Sequence, residues 1–168
     1  MGGTVRNLKR HILYLAAGEF AALCIFGLLF HSLRVGIASA SFAAFFYLMF
    51  LLFQGSIYWA YRYILLVKRK SPGRKGVQFW KASRYLSTAL MVPAAIAIPI
   101  NSTGSWDAFW AVAAFLFGII EYINYFWYRL SYGKSGFSIR LLLKTKPQKS
   151  SINKLIGPPS VHLGGEDF

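Results

Sequence analysis

The stretch "DAFWAVAAFLFGIIEYINYFWY", residues 107–128, decides the fold. It is long enough and apolar enough to cross a hydrocarbon core as a helix, which takes about 20 residues. Read at 3-4 spacing, it separates into two faces. Asp107, Ala111, Ala114, Gly118, Glu121, Tyr125 and Tyr128 fall in one line, and Tyr132 extends it. Every member is small or polar. Phe109, Trp110, Phe115, Leu116, Phe117, Ile119, Ile120, Ile123, Phe126 and Trp127 make up most of the rest. Large apolar side chains suit lipid, whereas small residues let helices approach and polar ones seek partners in the bundle. The spacing therefore predicts a membrane helix whose stripe faces protein.

Three further stretches can span: about 12–30, 35–61 and 80–100. The second is longer than a span needs, and its "IYWAYRY" end suits the headgroup level. Pro93 and Pro99 predict a kinked or irregular outer half for the third. "VQFWKASRY" reads as an interfacial helix leading into it. The first span follows a basic "RNLKR" and precedes "ASA", like a cleavable signal. Its apolar run exceeds a usual signal core and Arg34 lies before the motif, so the span is read as retained. Charged residues make up 14% of the chain, against about 25% in soluble domains. The fold class is all-α: a polytopic four-helix transmembrane bundle over residues 1–143. Residues 144–168 form a basic, mostly disordered tail.

The 19 Lys and Arg residues set the orientation. Arg6, Lys9 and Arg10 precede the first span, and Arg34 alone follows it. Eight lie between the second and third, including Arg62, Lys68, Arg69, Lys70 and Arg84. The "NSTGSWD" turn has none, and seven follow the fourth span, beginning at Arg129. With both termini cytoplasmic, 18 of the 19 fall on the cytoplasmic side, as the positive-inside rule requires. The expected location is a bacterial-type plasma membrane. The net charge of +14 is read as topology and contact with anionic headgroups. Nucleic acid is not an expected partner, because no basic nucleic-acid-binding motif is present.

The second span carries a matching stripe: Ala40, Ala44, Tyr47, Leu51, Gln54, Tyr58 and Tyr61. In the first span Glu19 is set among Ala16, Ala17, Gly18, Ala21 and Ala22, which reads as a crowded, closely packed place. At 1.5 Å rise per residue, Glu19 and Glu121 lie roughly 10 Å from the cytoplasmic ends of their spans, and Gln54 roughly 12 Å. Ser87 and Thr88 are somewhat shallower. The candidate intramembrane polar site is therefore Glu19, Gln54, Glu121, Asn124, Tyr125 and Tyr128. Arg62, Arg84 and Arg129, with Lys68, Arg69 and Lys70, are candidate counter-ions or headgroup contacts. A carboxylate at membrane depth costs about 2.5–3.5 kcal/mol on insertion scales, so two of them need a cause. One cause is a cytoplasm-facing cavity for a proton, a cation or a cationic ligand. The other is structural: each glutamate pairs with an arginine, and tyrosine hydroxyls complete a clamp.

No stretch has the form of a nucleophile elbow, a zinc helix or a phosphate-binding loop. Cys24 is single, and His11, His31 and His162 lack ligand spacing. No catalytic residue, metal or cofactor is expected. The expected function is that of a small non-catalytic membrane protein of accessory, regulatory or immunity type. It would bind anionic lipid and a membrane-protein partner, or form a homo-oligomer. The alternative is an oligomeric small-cation or proton-coupled transporter working through Glu19 and Glu121.

Overall fold

The computed structural model describes residues 2–34, 36–128 and 149–157, with side chains from Arg6 onward. All regular elements among these are helices: α1 (Gly2–Ser32), α2 (Ala40–Val67), α3 (Arg74–Asn101), α4 (Ser105–Phe126) and a short α5 (Ser151–Ile156). Four of them, α1 to α4, are long and apolar enough to cross a membrane. The 28 residues of α2 reach about 42 Å, more than the ~30 Å of a hydrocarbon core.

Local chemistry fixes the ends. The Ser39 hydroxyl caps α2 by accepting the Phe42 N–H at 3.2 Å. At its other end Arg69 adopts φ 49°, and the Lys70 N–H donates back to the Leu65 carbonyl at 3.0 Å. That is the left-handed helix stop usually made by glycine. The helix that contains the second span thus starts at Ala40, five residues after the apolar stretch begins, and runs to Val67. Likewise "VQFWKASRY" is part of α3 itself, which continues as helix through Pro93 and Pro99.

The central helix is α2, which packs on α1, α3 and α4. Its stripe is buried as the spacing predicts. In one half Ala40 and Ala44 meet Ala111 and Ala114 of α4, and large side chains fill the margins. In the other half Tyr47, Leu51 and Tyr58 pack with Trp80, Tyr122, Tyr125 and Phe126. Gly118 accommodates the Tyr47 ring: a Cβ there would stand 3.0 Å from two ring carbons.

Two expectations change. Phe126 belongs by spacing to the lipid side, yet it is fully buried. It is covered because residues 149–157 fold back onto the bundle. Ile152 and Ile156 of α5 enter the same cluster as Tyr58, Trp80 and Phe126. The Ser150 hydroxyl accepts the Asn153 N–H at 3.0 Å and donates to the Tyr125 carbonyl. This part of the expected disordered tail is therefore folded. The rest of the tail and the segment 129–148, with Arg129 and Tyr132, lie outside the described residues.

The second change concerns α1. Its packing face is Ile12, Ala22, Leu23, Phe26, Leu29 and Phe30, turned to α2. Ala17, Gly18 and Ala21 are exposed, and a Cβ on Gly18 would meet nothing within 4 Å. Of the small residues around Glu19, Ala17, Gly18 and Ala21 thus form an open surface rather than a crowded seam, while Ala16 and Ala22 are half-buried. Small residues permit close approach, but here no described helix occupies that side.

Candidate functional site

The backbone of α1 approaches α2 but not α4. Among the described residues α1 and α4 meet through side chains. Phe26 and Phe117 touch with ring centroids 5.3 Å apart. Nearer the basic end of the bundle, the Tyr125 hydroxyl donates to Glu19 Oε2. Between these contacts lies a cleft of about 250 Å³. Tyr14, Leu15, Gly18, Glu19 and Ala22 form one wall, Phe117 and Glu121 the other, and Leu52 of α2 the floor.

Both carboxylates therefore belong to one site. The Tyr125 hydroxyl lies within reach of both Glu19 and Glu121, and both carboxylates line the same cleft. The Asn124 amide donates to Glu121 Oε2 at 3.3 Å. No described cation forms an ion pair with either glutamate. The arrangement is a pair of carboxylates within long apolar helices, tied by neutral donors and half-exposed toward a cleft.

Tyr125 reaches this position because of Gly55. A Cβ at Gly55 would stand 2.6 Å from Tyr125 Cζ and from its hydroxyl oxygen. The α4 side chain thus passes across α2 at the one point where α2 has no side chain, and ends on α1. The sequence reading had placed no weight on Gly55. Its only signal is a glycine inside an otherwise bulky helix interior, next to the polar Gln54.

The remaining members of the expected layer are elsewhere. Gln54 is buried and its Oε1 accepts the Ser87 hydroxyl at 3.0 Å, joining α2 to α3. Thr88 and Tyr122 share a hydrogen bond of 2.7 Å that joins α3 to α4. Among the described residues the layer is made of three separate interhelical contacts. Tyr128 is exposed at the bundle end, where its backbone bridges to Lys149. Arg84 stands over the Trp127 ring at 4.4 Å, a cation–π contact. Arg62 lines a different cavity beside α5. Lys68, Arg69 and Lys70 are exposed in the turn after α2.

A third carboxylate serves the opposite end of the bundle. Asp107 accepts the Ser41 N–H at 3.1 Å, the Ser41 hydroxyl, the Thr103 N–H at 3.1 Å and the Thr103 hydroxyl at 3.2 Å. Its position in the first turn of α4, against the first turn of α2, also favours negative charge. This clamp ties the start of α2 to the α3–α4 turn and is structural. Among the described residues no His, Cys, Asp and Glu side chains group to hold a metal ion. Comparison with protein-family models, with curated proteins and with solved structures found no match, so the geometry of the site carries the functional reading.

Proposed function

We propose that the protein is a non-catalytic integral membrane module that receives a transmembrane helix of a partner protein in its α1–α4 cleft. One observation carries this reading. Glu19 and Glu121 sit within the long apolar helices, with no cation paired to them among the described residues, on a face that is open beside α1. A carboxylate facing lipid costs several kcal/mol, and a protein partner that donates to it removes that cost. The chain cannot supply the cation from a second copy at the same depth. No Lys or Arg occurs in residues 11–33, 35–61 or 85–128. The fitting partner is therefore a different chain whose membrane helix carries a Lys or an Arg. Gly18, Ala17 and Ala21 offer such a helix a surface for close approach.

In this reading both termini are cytoplasmic, the membrane is a bacterial-type plasma membrane, and the basic end of the bundle rests on anionic lipid. The test is purification from native membranes in mild detergent. The parent protein should run as a complex with a second membrane protein. Glu19→Gln/Glu121→Gln should release it as a free chain. A parent that is monomeric and alone contradicts the reading.

A second reading is favoured by the same pair, since two carboxylates around one tyrosine hydroxyl also form a site for a proton or a small cation. Purified protein in liposomes separates the two. Flux driven by a pH or cation gradient, and lost in Glu19→Gln/Glu121→Gln, would replace the partner reading by transport.

A further inference from the structure

A second cavity lies at the basic end of the bundle, between the last turns of α2, the first turns of α3 and α5. Its volume is about 440 Å³, within the roughly 300–1,000 Å³ of small-ligand sites. Arg62, Pro72, Val77, Ser151, Lys154 and Leu155 line it. Two of these six residues are cations and one is a hydroxyl. No described carboxylate lines it: Glu19, Asp107 and Glu121 all belong to the two clusters above. Arg62 is half-buried and forms no ion pair among the described residues. A guanidinium held partly out of water, with no counter-ion and a second cation across the cavity, is built for an anion, and its planar fork matches phosphate oxygens.

Depth and surroundings narrow the anion. Arg62 lies five residues before the end of α2, where that helix leaves the hydrocarbon region. Trp59, Tyr61 and Trp80 pack nearby, the aromatic types that favour the headgroup level. Pro72, Val77 and Leu155 supply an apolar lining for the upper part of a lipid glycerol. The cavity is also far larger than a phosphate alone fills. We infer that this cavity binds the phosphate headgroup of an anionic phospholipid between Arg62 and Lys154, with the Ser151 hydroxyl as a further donor. The site is separate from the α1–α4 cleft and stands whether or not that cleft holds a partner helix. It also gives α5 a role, since Ser151 and Lys154 reach the cavity only when α5 is docked.

The test is lipid binding by the purified full chain in detergent, followed by native mass spectrometry. Phosphatidylglycerol and phosphatidylcholine of identical acyl chains are compared, with inorganic phosphate as a third arm. Phosphatidylglycerol should bind in a saturable 1:1 manner and phosphatidylcholine much more weakly. Lys154→Gln, an exposed change that leaves the core untouched, should weaken phosphatidylglycerol about fivefold, the loss expected for one cation near a headgroup. Arg62→Gln/Lys154→Gln should weaken it about 25-fold on the same scale. Lys81→Gln, an exposed cation outside the cavity, should change it less than about twofold. Equal binding of the two lipids would overturn the inference, as would Lys154→Gln and the double variant both binding like the parent. Saturable binding of inorganic phosphate without phosphatidylglycerol would overturn the lipid source in favour of a soluble phosphate.

Discussion

The Tyr125 side chain crosses α2 over Gly55 and donates its hydroxyl to Glu19 on α1. Three helices are thereby joined through one side chain, and the carboxylate pair is held at the mouth of the α1–α4 cleft. Among the described residues it is the one hydrogen bond between α1 and α4, so the geometry of the cleft depends on this contact.

Gly55→Ala should disturb it most directly. The new methyl would overlap the Tyr125 ring, which is buried and cannot swing away freely. Overpacking of this kind costs about 1–3 kcal/mol. Thermal unfolding in detergent should show a clear drop in midpoint. A midpoint equal to the parent's would mean that Tyr125 does not pass over Gly55.

Two tyrosines at the α2–α4 contact should respond oppositely to losing a hydroxyl. Tyr125→Phe removes the bond to Glu19 and should be non-additive with Glu19→Leu, with a coupling of about 0.6–1.7 kcal/mol, the range for polar contacts between membrane helices. Tyr47→Phe removes a buried hydroxyl that has no partner among the described residues. It should leave stability unchanged or raise it, because an unmet buried polar group costs free energy. Unfolding of both single variants and the cycle in one detergent checks both statements. A strongly destabilising Tyr47→Phe, or additive behaviour at Tyr125 and Glu19, would contradict them.

Asp107→Ala should weaken the other end. It removes the acceptor for two backbone N–H groups and two hydroxyls at the start of α2 and in the α3–α4 turn. A lost cap of this type costs about 1–2 kcal/mol. Hydrogen exchange should speed up in the first turn of α2 and around Thr103, with little change near Glu19. Uniform acceleration through the bundle would show that Asp107 is not a local clamp.

Much of this was legible in the sequence, and the failures share a cause. The stripes in α2 and α4 were readable because helical periodicity alone assigns a face, and Ala40, Ala44, Ala111, Ala114, Gly118 and Tyr125 are buried as that spacing predicts. The face of α1 was misjudged at Ala17 and Gly18, since small residues mark a permissive surface without saying whether a neighbour sits there. Gly55 was missed because its role is set by the path of a side chain from another helix. The docking of α5 had a signal that a basic, Ser- and Pro-containing context obscured. Ile152, Leu155 and Ile156 follow i, i+3, i+4 spacing behind Ser150, a good capping residue. Arg62 and Arg84 stood near the glutamates by depth, but depth does not give azimuth, and both turn toward other faces.

Docking of α5 gives a fourth prediction. Ile152→Ala truncates a fully buried side chain between α3 and α4, and such truncations cost about 2–5 kcal/mol. Because α5 is short, the loss should appear as local release, with faster hydrogen exchange and protease cleavage within residues 149–157. The four long helices should keep their protection. Unchanged exchange in this segment would mean that α5 does not rest on Phe126 and Trp80.

The central claim is that the open carboxylate cleft between α1 and α4 receives a helix from another protein. Photo-crosslinking in native membranes tests it most directly, with a benzophenone side chain introduced at Tyr14, which lines the cleft and is 76% exposed. One discrete adduct with a different membrane protein is the expected result. In Glu19→Gln/Glu121→Gln its yield should fall about tenfold, the loss expected when ~1.4 kcal/mol of polar contact goes. Adducts with lipid alone, an adduct of two copies of this chain, or an unchanged adduct in the double variant would contradict it.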